Sequence, residues 1–158
     1  MRWRGAMLDI SRHYFDTTFI KKTISSLAIF DYNTLHLHLT DDQGWRLESK
    51  VFPLLHEVGS IRKQSQNNHG LLEPTYDGKQ HSGYLTHNDV REIVSHAHSL
   101  GMQVLPEINI PGHTGALLAA YPQYGINQAA VEVSGRWGIS DYLLRPFPET
   151  FEFLQKVF

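Results

Sequence analysis

Not one cysteine occurs among the 158 residues, which excludes a disulfide framework, a thiolate nucleophile and any zinc site built on sulfur. Charge of one sign is scarce too. With 14 basic and 16 acidic residues the formal net charge is -2, and no Lys/Arg cluster forms a helical stripe, so nucleic acid is not an expected partner. No apolar run approaches the roughly 20 residues that cross a bilayer, and the N-terminal MRWRGAMLDIS turns polar too soon for a signal peptide. Membrane association is therefore not expected, and the compartment stays unknown. What the chain does have is 41% hydrophobic residues and 19% charged ones, the composition of an ordinary globular domain.

The densest chemistry lies in LHLHLTDDQGWR, residues 35–46. Leu35, Leu37 and Leu39 fall on one face of an extended chain and His36, His38 and Thr40 on the other, the period of two expected of a strand. Asp41, Asp42 and Gln43 follow where that strand is expected to give way to a loop. Burying two histidines beside two carboxylates without partners costs several kcal/mol, so the fold must supply hydrogen bonds, a metal or a polar substrate. Taken alone, His36 and His38 fit either hydrogen-bonded core histidines or a shared metal ion, and the aspartates fit a helix cap or a turn.

Around this segment the chain alternates strands and helices. GAMLDI at 5–10 reads as a buried strand, with Ser11, Arg12 and His13 crowded at its C-terminal end. Asp16 or Thr17 can cap a helix whose apolar face carries Ile20, Ile24, Leu27 and Ala28. After the strand from Thr34 to Leu39, residues 45–83 wander, with a short helix near Phe52 to Val58 and a polar stretch containing Gln64, Asn67, Asn68, His69 and Gly70. Excursions of that length are usually functional or mobile. Thr86 and Asp89 make a capping box ahead of a helix through Val90, Ile93, Val94 and Ala97, which Gly101 ends. A strand from Met102 to Ile108 delivers Glu107 and Asn109 to its end, before Pro111, Gly112 and His113 and a helical turn through Leu117, Leu118 and Tyr121. Pro148 starts a last helix, with Phe151, Leu154 and Phe158 on one face. Trp45 and Tyr121 are expected to pack loops rather than stack on a ligand.

Three strands alternating with helices imply an α/β fold with parallel strands. Each polar cluster sits at a strand's C-terminal end, the edge where parallel α/β folds bind ligands, so the clusters are expected to converge.

The segments RGAMLDISRHYF at 4–15, LHLHLTDDQGWRLE at 35–48, GYLTHNDVREIV at 83–94, VLPEINIPGHTGALLAAYP at 104–122 and RWGISDYLLRPFPETFEFL at 136–154 together resemble the catalytic barrel of family 20 glycoside hydrolases, the β-N-acetylhexosaminidases. The resemblance covers nearly the whole chain. It implies a TIM (β/α)8 barrel, of which residues 1–158 are the N-terminal segment with the first three βα units. It also implies a parent enzyme that removes terminal β-linked N-acetylglucosamine or N-acetylgalactosamine from glycans by retaining, substrate-assisted hydrolysis, with no cofactor and no metal. The adjacent Asp-Glu pair that the family places after its fourth strand has no counterpart, since no Asp-Glu dipeptide occurs here. The isolated chain is accordingly expected to be inactive. By the resemblance Arg4 binds sugar hydroxyls, Asp41 and His113 relay hydrogen bonds toward the absent general acid, and His36, His38, Asp42 and Glu107 shape the pocket around them. Asn109 stands where many members carry aspartate.

Two other readings remain open on the residues. A metal-dependent hydrolase of the amidohydrolase kind would use His36 and His38. A non-catalytic sugar-binding or assembly module would self-associate through the open strand edges of an incomplete barrel.

Overall fold

The computed structural model describes residues 2–68 and 72–158; the His69 and Gly70 end of the polar stretch lies outside them. Three parallel strands form the sheet that positions everything else: β1 (Gly5–Asp9), β2 (Thr34–Asp41) and, later in the chain, Gln103–Ile108. β2 lies in the centre. A two-residue strand, β3 (Gly44–Trp45), folds back antiparallel on the end of β2. The excursion then holds a single helical turn, α2 (Leu54–Glu57), and a small hairpin of β4 (Ile61–Arg62) and β5 (His81–Ser82). Numbering in chain order makes the third parallel strand β6.

Helices α1 (Thr17–Ile29) and α3 (His87–Ser99) join the parallel strands. Asp16 caps α1 by accepting the Phe19 N–H at 2.8 Å. Thr86 and Asp89 close the expected capping box on α3. Gly101, at φ +71°, turns the chain off α3 in the left-handed region where a side chain is strained.

The period of two along β2 becomes a partition between core and site. Leu35, Leu37 and Leu39 are at most 3% exposed and pack with Ile20 and Ile24 of α1 and Ile93 and Ala97 of α3. On the opposite face the parallel register sets Met7, His36 and Leu105 in one row and Asp9, His38 and Glu107 in the next. Side chains paired across parallel strands point the same way, so the second row gathers three ionisable groups at the C-terminal end of the sheet.

A second core forms under the later loops. Trp45 and Leu55 pack there with α4 (Gly115–Ala120) and with Phe153 of α5 (Pro148–Val157). Phe153 stacks on Tyr124, ring centres 4.2 Å apart. The buried face of α5 therefore centres on Thr150 and Phe153, not on the expected Phe151, Leu154 and Phe158: Phe151 and Phe158 are exposed. Periodicity located the helix, but the aromatic partners Phe52, Tyr121 and Tyr124 choose its rotation. Trp45 and Tyr121 pack loops as expected, the indole N–H donating to the Leu47 carbonyl at 2.7 Å.

Candidate active site

β2 runs through Asp41, so the first aspartate ends the strand instead of following it. Asp41 is 1% exposed and saturated with donors. Its Oδ2 takes Nε2 of His38 at 2.9 Å, Nη2 of Arg12 at 2.7 Å and Nδ2 of Asn109 at 3.2 Å. Its Oδ1 takes the Asp42 N–H at 2.8 Å and lies 3.1 Å from Nδ1 of His113. Burial works against the anion. The hydrogen bonds from His38 and the Asp42 amide, with the charges of Arg12 and His113, outweigh it and hold the Asp41 carboxyl below its ordinary value.

His38 spends its second ring nitrogen on Glu107, Nδ1 to Oε2 at 2.7 Å, and His36 brings Nε2 to the same oxygen at 2.6 Å. Burial alone would lower the His38 pKa, but the hydrogen bonds to Asp41 and Glu107 raise it above its ordinary value. Glu107 is in turn held low, against its own burial, by His38 and His36. With both ring nitrogens on carboxylates, His38 has none left for a metal, which counts against the amidohydrolase-like reading built on His36 and His38. Asp41, Asp42 and His113 do bring ligand atoms within 4.8 Å of one another, but donors of this chain occupy their oxygens at hydrogen-bonding distances.

Asp42, also 1% exposed, is more than a neighbour of the relay. Its Oδ1 accepts the Gly115 N–H at 2.8 Å, and its Oδ2 accepts the Ser140 hydroxyl at 2.8 Å and faces Nδ1 of His113 at 3.2 Å. One imidazole N–H is thus shared between two carboxylates from the end of β2. His113 itself sits at φ +54°, a left-handed conformation that a non-glycine residue keeps only where its surroundings hold it.

Asp41, Asp42, His113, His36, His38 and Glu107 therefore converge as a single network, whereas Arg4 does not join them. It lies just before β1, at the opposite end of the strands. Its backbone N–H donates to Oδ1 of Asn33 at 2.9 Å and its Nε donates to the Asp31 carbonyl, in the turn between α1 and β2. A five-residue strand separates it from Asp9, about 16 Å at the rise of an extended chain. The cation that does reach the network is Arg12, which follows β1. Its Nη1 pairs with Asp9 at 2.7 Å and its Nε donates to Oε1 of Gln43 at 3.0 Å. Asp9 also accepts the Ser11 and Arg12 amides, an Asx turn that folds the segment over the strand end. In the sequence Arg12 belongs to a polar cluster at a strand's C-terminal end, and position along the strand is the signal that distinguishes it from Arg4. Ser140 carried no such signal, because 98 residues separate it from Asp42.

Asn109 acquires a physical reason as well. Its amide donates to the already anionic Asp41, where a carboxylate would add like charge. The four carboxylates of Asp9, Asp41, Asp42 and Glu107 face the Arg12 guanidinium and the rings of His36, His38 and His113.

Comparison with known proteins agrees with this chemistry. The profile described as "Glycosyl hydrolase family 20, catalytic domain" matches residues 1–158. A beta-hexosaminidase of Porphyromonas gingivalis is 42% identical over 137 residues, covering 87% of this chain and 16% of the relative. A crystal structure of a beta-N-acetylhexosaminidase superposes with a TM-score of 0.90 at 37% identity, covering 99% of this chain and 32% of that one. A mutant Streptomyces plicatus beta-hexosaminidase in complex with product (GlcNAc) superposes at 0.83 with 35% identity, covering 99% and 29%. The chain thus spans about a third or less of the length of these relatives.

Proposed function

Because this chain belongs to glycosyl hydrolase family 20, we propose that it forms the first three βα units of a (β/α)8 barrel whose complete protein hydrolyses terminal β-linked N-acetylhexosaminides. The observation that carries this reading is the buried Asp41, Asp42 and His113 network at the C-terminal end of parallel strands, the end where barrels work. In the substrate-assisted scheme the 2-acetamido oxygen bonds to the anomeric carbon as the glycosidic C–O bond breaks. A general acid gives its proton to the departing oxygen, and water later opens the oxazolinium ring.

No Asp-Glu dipeptide occurs in the sequence, so the general acid and the aspartate that orients the acetamido group come from elsewhere in the protein. This chain supplies the support. Asp41 and Asp42 fix the His113 ring through Nδ1, leaving Nε2 as the atom that holds or passes a proton. Arg12, in the place expected of Arg4, offers its guanidinium fork to sugar hydroxyls. His36 and His38 both hold the same Glu107 oxygen and keep the floor rigid. Edge strands β1 and β6 present Met7 and Leu105, 59% and 46% exposed, which the remaining strands cover in the complete barrel.

Calorimetry with an N-acetylglucosamine-thiazoline ligand tests the reading: the chain binds it, Arg12→Ala abolishes binding and Arg4→Ala leaves it. Loss with Arg4→Ala alone refutes the assignment. Release of nitrophenol from the aryl N-acetylglucosaminide by the purified chain refutes the inactivity, and light scattering reads whether the open edges self-associate.

A further inference from the structure

The reaction described above gives roles to Asp41 and Asp42 but none to Gln43, the residue that completes the turn between β2 and β3. Gln43 is nonetheless only 5% exposed, and both ends of its amide are used. Its Oε1 accepts Nε of Arg12 at 3.0 Å, and its Nε2 donates to the Arg136 carbonyl at 2.9 Å. A guanidinium can only donate and a carbonyl can only accept. One orientation of the amide therefore satisfies both partners, and a carboxylate in its place would have no proton for the carbonyl.

The backbone under this contact is fixed as well. Buried Arg46 donates from Nη2 to the carbonyls of Ser11 at 2.9 Å and Gln43 at 3.4 Å, Arg62 donates to the Gln43 carbonyl at 3.2 Å, and the Ser11 hydroxyl donates to the Gly44 carbonyl at 2.6 Å. Gln43 and the residue before Arg12 thus hang on one guanidinium. What that geometry holds is the plane of the Arg12 side chain. Its Nη1 meets Asp9 and its Nη2 meets Asp41, each at 2.7 Å. Two contacts at the tip leave the group free to rock about the line joining them, and the third, at Nε, stops it.

We propose that Gln43 is the positioning residue of the sugar site: it holds Nε of Arg12, so that the plane of the guanidinium and the direction of its remaining N–H groups are set before a ligand arrives. The inference rests on the reading of Arg12 as a contact to sugar hydroxyls. Arginine has five N–H donors, and one on each nitrogen is already engaged, so one on Nη1 and one on Nη2 remain. Vicinal hydroxyls need such a pair in a fixed direction, and ordering it in advance removes a cost from binding.

The test compares the 158-residue chain with variants that separate the two ends of the amide. Gln43→Met and Gln43→Ala remove both hydrogen bonds, one keeping the volume and the other releasing it. Gln43→Glu keeps the acceptor for Arg12 and removes only the donor to Arg136. NMR follows exchange of the Arg12 Nε–H with water, calorimetry follows binding of an N-acetylglucosamine-thiazoline ligand, and circular dichroism checks that each variant is folded. Gln43→Met and Gln43→Ala should speed the exchange and weaken binding by about ten-fold each, the scale of one hydrogen bond to a charged group, while Gln43→Glu keeps both within about two-fold of wild type. Exchange or binding that is unchanged in Gln43→Met overturns the assignment. So does an equal loss in Gln43→Glu, because the effect then runs through the Arg136 segment. If wild type binds no ligand, the sugar reading of Arg12 falls, and the Nε–H exchange still decides whether Gln43 holds that side chain.

Discussion

Replacing Asp41 by asparagine removes one charge from the centre of the network without changing its volume. The carboxylate accepts three donors on Oδ2 and two on Oδ1, and an amide can offer only one oxygen. The less costly orientation keeps the oxygen toward His38, Arg12 and Asn109 and turns the NH2 toward the Asp42 amide and His113. Even so, the two cations lose a charged partner. Breaking a buried pair typically costs about 3–5 kcal/mol. The lower end applies, because Arg12 is 26% exposed and keeps Asp9 at 2.7 Å, and His38 keeps Glu107. A loss of about 3 kcal/mol lowers the unfolding midpoint of a chain this size by about 6–12 °C. His38 reports the cause independently. With the Asp41 charge gone, burial pulls its pKa down against Glu107 and Asp9, so its titration, followed by NMR, moves to lower pH. Urea unfolding and the His38 titration are the two assays. A variant within 1 kcal/mol of wild type, or one whose His38 titrates unchanged, would refute the reasoning.

Other predictions follow from neighbouring groups. Arg46, wholly buried, donates to the carbonyls of Ile10, Ser11, Gln43, Ser60 and Gly83, and burial, together with nearby Arg62, brings its pKa down to about 9; Arg46→Met should cost about 3–5 kcal/mol in urea unfolding by orphaning those acceptors, and near-neutrality would contradict it. A Cβ on Gly115 would stand 2.9 Å from Oδ1 of Asp42, so Gly115→Ala should lose about 1–3 kcal/mol to overpacking and shift the His113 ring resonances, which remain in place if Asp42 does not move. Stability should also depend on pH at both ends. The raised His38 contributes fully below its ordinary 6.5 and loses that contribution as pH climbs through its folded value; Asp41 and Glu107 contribute fully above their ordinary 3.8 and 4.5 and lose it as pH falls through theirs. If His38→Gln leaves the high-pH limb unchanged in urea unfolding across pH, that limb belongs to another group.

Local patterns determined much of this protein unaided. Alternation along residues 34–40 placed leucines in the core and histidines on the working face, because a strand's side chains have no other option once one face is buried. Asp16, Thr86 and Gly101 marked helix ends because capping is chemistry between near neighbours. Motif order sufficed for the family. Tertiary structure decided what depends on groups distant in sequence. It chose the rotation of α5, whose aromatic partners lie on other elements. It set Asp9 and Glu107 on either side of His38, a matter of strand register. It put Arg12 rather than Arg4 at the site, since only the direction of β1 tells which end of the strand meets Asp41. And it brought Ser140 across 98 residues to Asp42, a proximity that no spacing in the chain encodes.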